Sequence, residues 1–180
     1  MDWPVTSLQW GAILQSNSEY VTQRLFFSCR TDGIYANDNT WTGQPNMIIM
    51  SSIELPHDDH YFINELKSLF NHDAAKKHPN MKIKTVIAHP GEVTVIRACP
   101  SNRKVLASKN DINEVFIWSS ERYKTMTSSH TNNPDITLKT TKSDKSNYAL
   151  RFCPSLQRLI SASGNVIELF DLEQSAPTKR

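Results

Sequence analysis

The sequence predicts an all-β chain built from β-propeller blades, and a recurring unit of short strands carries that prediction. Cys99-Pro100-Ser101 returns as Cys153-Pro154-Ser155, 54 residues later. Ala107-Ser108 is matched by Ser161-Ala162-Ser163, and Val115-Phe116-Ile117-Trp118 by Ile167-Glu168-Leu169-Phe170-Asp171. Short strands repeating at this spacing are the mark of a propeller blade. Roughly three such units fit in the chain, and a propeller must close into a ring. In this architecture each sheet packs its face on the next, so neighbours share a core that none has alone.

Eleven strands are predicted. In the first blade, Thr6–Trp10 alternates and ends in an aromatic. Arg24–Cys29 and Met47–Glu54 are rich in Phe, Ile and Met, and Lys82–Ala88 alternates Lys with Ile, Val and Thr as a half-exposed strand does. The second blade takes Glu92–Ala98, Val105–Lys109, Glu114–Ser119 and Ile136–Lys139. The third takes Asn147–Phe152, Arg158–Ser163 and Val166–Asp171, with no fourth strand before a polar tail. The resulting boundaries are 2–88 for blade one, 89–139 for blade two, 147–171 for an incomplete blade three and 172–180 for the tail. Thr31–Pro45, with turn residues Asp32-Gly33 and Gly43, reads as an elongated hairpin loop. Within an insertion over 56–80, Tyr61, Phe62, Leu66, Leu69 and Phe70 have the spacing of a short amphipathic helix capped by Asp58 or Asp59.

Composition narrows the functional classes. The net charge is +2 and the isoelectric point near 8.4. That is too mild for the concentrated basic face of a nucleic-acid binder, and the loosely grouped Lys76, Lys77, Lys82, Lys84, Lys139, Lys142 and Lys145 read as solvated loop charge. No apolar window is long enough for a membrane helix, and the N-terminal residues lack the regions of a signal peptide. Cys29, Cys99 and Cys153 are an odd, widely spaced set, which fits reduced core thiols of a cytosolic or nuclear protein rather than a disulfide framework. There is no Gly-rich phosphate loop, and no nucleophile–base pair has supporting spacing. His57, Asp58, Asp59, His60, His72 and Asp73 are metal-ligating types, but adjacent residues seldom converge on one ion. The expectation is a non-enzymatic chain with no metal and no cofactor.

The second blade carries a more specific signal. His89 precedes its first strand, Ser108 ends its second, Asp111 lies in the following hairpin and Trp118 ends its third. In WD-repeat blades, residues of these types form a buried relay in which Trp and Ser donate, Asp accepts and His bridges. Such a set is tolerable in a core only when every member is paired. Blade three lacks the His and the Asp and has Phe-Asp in place of Trp-Asp.

Further motifs resemble one branch of that family. Asp2-Trp3-Pro4 with Leu8-Gln9-Trp10 looks like the opening of blade one in the histone-binding WD-repeat proteins. These include the retinoblastoma-binding histone chaperones and the small subunit of chromatin assembly factor. Leu55-Pro56-His57-Asp58-Asp59 resembles that family's Leu-Pro-Asn-Asp-Asp turn, and Ile87-Ala88-His89-Pro90-Gly91-Glu92-Val93 its entry into blade two. Tyr148–Pro154 and Leu159–Asp171 resemble blade three, so the likeness spans about residues 2–172. Family members have seven blades, a long N-terminal helix and an acidic loop in the sixth blade. The latter two, which grip a histone helix, have no counterpart here.

The resemblance also implies a site for basic peptide tails at the mouth of the propeller's top face. Glu92 matches a family glutamate that meets a basic side chain, Tyr148 an aromatic wall, and Trp3 and Pro4 an apolar edge. Arg30, Thr94 and Ser146 stand where the family has His, Asn and Glu. By resemblance, then, the chain is a non-catalytic, nuclear, histone-binding scaffold of chromatin complexes, with the cytoplasm as a second location. Its partners would be histone tails and other complex subunits, and it would need further blades or a partner chain. The alternatives are a WD-repeat interaction module with a non-histone partner, and a truncated fragment.

Overall fold

The computed structural model describes residues 4–18, 20–32, 34–35, 41–56, 81–112, 114–123, 132–140, 149–154 and 157–172. All eleven predicted strands are present among them. Sheet one is a meander of β1 (Val5–Ser16), β2 (Tyr20–Cys29), β5 (Met47–Pro56) and β6 (Met81–Ala88). Sheet two contains β7 (Val93–Ala98), β8 (Val105–Asn110), β9 (Glu114–Ser119) and β10 (Ile136–Lys139). Sheet three contains β11 (Ala149–Phe152), β12 (Arg158–Ser163) and β13 (Val166–Asp171). Every pairing in the three sheets is antiparallel. The inner strand β7 lies against both β1 and β11, so the sheets stand side by side as blades around an axis. The segment expected to be helical, the His and Asp residues around it, and the tail beyond Leu172 lie outside the described residues.

Two elements differ from the sequence reading. The first hairpin is longer: β1 runs to Ser16 and β2 starts at Tyr20, closed by Asn17, whose Oδ1 accepts the Tyr20 N–H at 2.7 Å. The extension gave no alternation signal because both Ile13 and Leu14 are exposed and two register shifts interrupt the ladder between Trp10 and Gln15. Gly11 sits at that break, where a Cβ would lie 2.6 Å from the Phe26 ring. In the predicted hairpin loop, β3 (Ile34–Tyr35) and β4 (Trp41–Thr42) pair as a minimal ribbon. Asp32 Oδ1 accepts the Gln44 N–H at its base.

Sheet two is the middle layer, and it is buried on both sides. Ile96, Leu106, Phe116 and Trp118 pack on Phe26, Ile48, Met50 and Ile87 of sheet one. On the opposite side, Val95, Ala107, Val115, Ile117 and Leu138 pack on Leu150 and Leu159 of sheet three, with Phe170 and Leu172 at the margin. Leu172, the first residue of the predicted tail, is partly buried against this cluster. The far side of sheet three is open: Ile160, Ile167 and Leu169 are exposed, Ile167 by 77% and Leu169 by 59%. On the far side of sheet one Leu25, Phe27, Cys29 and Ile49 are buried, while Val5, Leu8 and Trp10 on β1 and Met81 and Ile83 on β6 are exposed.

Each interior layer contains fully buried polar side chains that are hydrogen-bonded within the protein. Between sheets one and two, Trp118 Nε1 donates to Ser108 Oγ at 2.8 Å, and Ser108 Oγ lies 2.8 Å from His89 Nε2. His89 Nδ1 faces the Gly91 carbonyl at 3.1 Å. A carbonyl only accepts, so Nδ1 carries the proton, Nε2 is the acceptor and Ser108 donates to it. His89, Ser108 and Trp118 are fully buried, with Phe116 packed edge-on against the imidazole. Burial lowers the His89 pKa from its ordinary value near 6.5 to about 4, opposed by its backbone hydrogen bonds. Asp111 was expected as an acceptor in this relay. It stands outside it, because the Gly91 carbonyl has taken the second ring nitrogen.

Between sheets two and three lies a group the sequence gave no reason to single out. Lys109 is fully buried, and its ammonium donates to Ser161 Oγ (2.9 Å), Ser163 Oγ (2.6 Å) and the Ala162 carbonyl (3.0 Å). An ammonium has three donors, so all are used. Burial lowers its pKa and the nearby Glu168 opposes the shift.

Two outcomes test these layers. Lys109→Met keeps the aliphatic stem but removes the only charge on that interface side of β8; it should lower stability by about 1–3 kcal/mol in urea unfolding, with faster amide exchange in β12. Because the folded-state pKa of His89 lies below the unfolded value, its contribution is intact above about 6.5 and is lost as pH falls toward about 4. Unfolding free energy should drop over that window by on the order of 3 kcal/mol more in the native sequence than in His89→Gln. Parallel pH profiles for the two would contradict a neutral buried imidazole.

Candidate functional site

The predicted peptide-site residues sit where strands begin and end at one rim of the sheets. Pro4 leads into β1, Arg30 follows β2, and Glu92 leads into β7. The first hairpin joins two of them, since the Arg30 N–H donates to the Pro4 carbonyl at 3.0 Å. Sheet one is tied to sheet two at the same rim: Thr6 Oγ1 donates to the Val93 carbonyl at 2.8 Å and shares a hydrogen bond with Ser28 Oγ. One register position deeper, Ser7 Oγ accepts the Ile96 N–H. These bonds bring Arg30 up to Glu92 across the interblade seam, with Nε 3.4 Å from Oε2.

The loop that presents Glu92 is fixed from several directions. The His89 N–H donates to the Asn46 carbonyl at 2.7 Å, and the His89 ring holds the Gly91 carbonyl. The Glu92 N–H donates to Asp111 Oδ1 at 2.9 Å, and the Asp111 N–H returns to the Glu92 carbonyl at 3.0 Å. Asp111 therefore positions the Glu92 backbone. Gly91 is required twice over: its φ is +75°, and a Cβ would sit 2.8 Å from the Asp111 carboxylate oxygen. Next to it, Asn110 Oδ1 accepts the Glu114 N–H at 2.7 Å and its amide reaches toward the Pro90 carbonyl.

Glu92 is thus a carboxylate of 30% side-chain exposure on a rigid loop, beside a guanidinium of 61% exposure. A pair this open to water contributes roughly 0–1 kcal/mol and exchanges readily. Chemically, the arrangement offers a fixed acceptor for a cationic donor. Thr94 lies at the bulge next to it, with its hydroxyl donated to the Lys109 carbonyl at 3.1 Å. Pro4 is exposed at the rim. Trp3, Ser146 and Tyr148 lie outside the described residues. Sequence reasoning missed the Arg30–Glu92 pairing and the support given by Asp111. A Gly directly before Glu92 and an Asp in the facing hairpin were the available signals. Among the described residues no group of three His, Cys, Asp or Glu side chains is placed to hold a metal ion, and no disulfide joins the three cysteines. Among the described residues no helix is long and apolar enough to cross a membrane.

No family model matches the chain. It is 32% identical over 157 residues to the WD-40 repeat-containing protein MSI4 of Arabidopsis thaliana. That match covers 85% of this chain and 28% of the relative, so the chain spans little more than a quarter of the relative's length. The likeness, three successive antiparallel blades, and the buried Trp118–Ser108–His89 chain together make this a WD-repeat chain that forms part of a β-propeller.

Proposed function

We propose that this chain is a non-catalytic scaffold of the histone-binding WD-repeat type. In this reading it acts in nuclear chromatin complexes and holds a basic histone tail across the rim formed by Pro4, Arg30, Glu92 and Thr94, with Trp3, Ser146 and Tyr148 completing the mouth. The single observation that supports it most is Glu92 itself: a half-buried carboxylate whose backbone is bonded in both directions to Asp111. A preorganised, partly desolvated carboxylate gains more from a lysine or arginine than a freely moving surface one does. The motif resemblance over about residues 2–172 supplies the histone as the basic partner.

A second element of the proposal concerns completeness. The open face of sheet three exposes Ile160, Ile167 and Leu169 in register, since Ile160 pairs with Leu169 and Ala162 with Ile167. We infer that it receives a further WD blade, supplied by more of the propeller or by a partner chain. The match to little more than a quarter of a longer WD-40 relative supports this choice of occupant.

Two measurements test these readings. Glu92→Gln should weaken binding of a basic histone-tail peptide by about 1–3 kcal/mol in calorimetric titration; an unchanged affinity removes Glu92 from the site. Sedimentation of the 180-residue chain should show self-association that Ile167→Lys with Leu169→Lys relieves. A monodisperse monomer in the native sequence would argue that no further blade is needed.

A further inference from the structure

We propose that Arg30 is an internal occupant of the Glu92 carboxylate, so that an incoming cationic side chain binds by displacing it. The proposal rests on the reading of Glu92 as the peptide acceptor and adds to it a residue that sets the strength and selectivity of capture.

Geometry distinguishes the two partners. Glu92 cannot follow a moving ligand: its N–H and carbonyl are both bonded to Asp111, and Gly91 before it occupies a backbone conformation that side chains rarely adopt. Arg30 is held only at its backbone, by the Pro4 carbonyl on one side and by the buried Cys29 on the other. Its side chain is 61% exposed, twice the exposure of the carboxylate it meets. The contact is Nε to Oε2 at 3.4 Å, longer than the roughly 2.7–2.9 Å of a well-formed charge-assisted bond and of the paired bonds by which guanidinium binds carboxylate best. Arg30 therefore caps the carboxylate loosely. A peptide arginine arriving from solvent with both prongs free makes the better bond, and Arg30 swings away on its flexible stem.

Two consequences follow. While in place, Arg30 offsets the negative charge of Glu92 and disfavours weak cationic ligands. Once displaced, it leaves an exposed guanidinium beside the bound cation, which disfavours a second positive charge next to the first.

The test uses a tetra-arginine peptide titrated into four forms of the 180-residue chain: native, Arg30→Ala, Glu92→Gln and the double variant. Arg30→Ala should bind about two- to fivefold tighter than the native chain, the range expected from removing an exposed ion pair. The same substitution should have no effect in the Glu92→Gln background, because there is no carboxylate left to compete for. Weaker or unchanged binding by Arg30→Ala, with Glu92→Gln still weakening it, overturns the displacement model and leaves the Glu92 reading standing. Equal tightening in both backgrounds overturns it as well, since the effect would then be general repulsion. Binding by none of the four overturns both.

Discussion

The face of one sheet buried against the next is the constraint on which every other feature depends. An antiparallel sheet standing alone has one face to cover, but the β7–β10 sheet covers two. Ile96, Leu106, Phe116 and Trp118 go to one neighbour, and Val95, Ala107, Val115 and Ile117 to the other. Its strands read as nearly continuous apolar runs for that reason, rather than alternating apolar and polar residues. With both faces dry, any polar atom placed there needs a partner within the protein. The hydroxyl, imidazole and indole of one layer and the ammonium of the other are fully buried, and each has its partners.

These buried groups also connect the core to the rim. The Trp118 indole holds the Ser108 hydroxyl, which donates to the His89 ring, and the ring holds the Gly91 carbonyl one residue before Glu92. A neutral imidazole is the only form that accepts from Ser108 and donates to Gly91 together, which is why burial and a depressed pKa suit this position. The loop carrying the carboxylate is thus an extension of the hydrophobic layer beneath it. On the other layer, Lys109 draws three acceptors from one short stretch of β12 and thereby specifies which residues of sheet three face sheet two. A one-residue slip would turn Ser161 and Ser163 away from it.

A scaffold that recognises peptides through a few charges needs those charges to be preorganised on one side and exchangeable on the other. The rim has this asymmetry. Glu92 is anchored through Asp111 and Gly91, while Arg30 is largely exposed and meets it only at 3.4 Å. Preorganisation of the acceptor reduces the entropy lost on binding, and an exposed, weakly paired arginine adds a threshold that a ligand must exceed. In the proposed reading, an arginine at this rim position tunes selectivity without altering the fold, because its exposed side chain lies outside the buried layers.

What the sequence by itself determined was the repeat and, through it, the strands. All eleven emerged where local alternation, β-branched residues and turn chemistry agreed, and His89, Ser108 and Trp118 were legible because a buried relay demands particular side chains at particular strand ends. The signal failed where local pattern and environment parted. The exposed Ile13 and Leu14 at the end of β1 concealed the length of the first hairpin, and Lys109, a residue normally assigned to solvent, lies wholly inside. Only the tertiary structure decided the role of Asp111 and the meeting of Arg30 with Glu92. Each of these is set by the distance between blades far apart in sequence, and spacing along a chain holds no information about which side chains a seam between two sheets will bring within hydrogen-bonding reach.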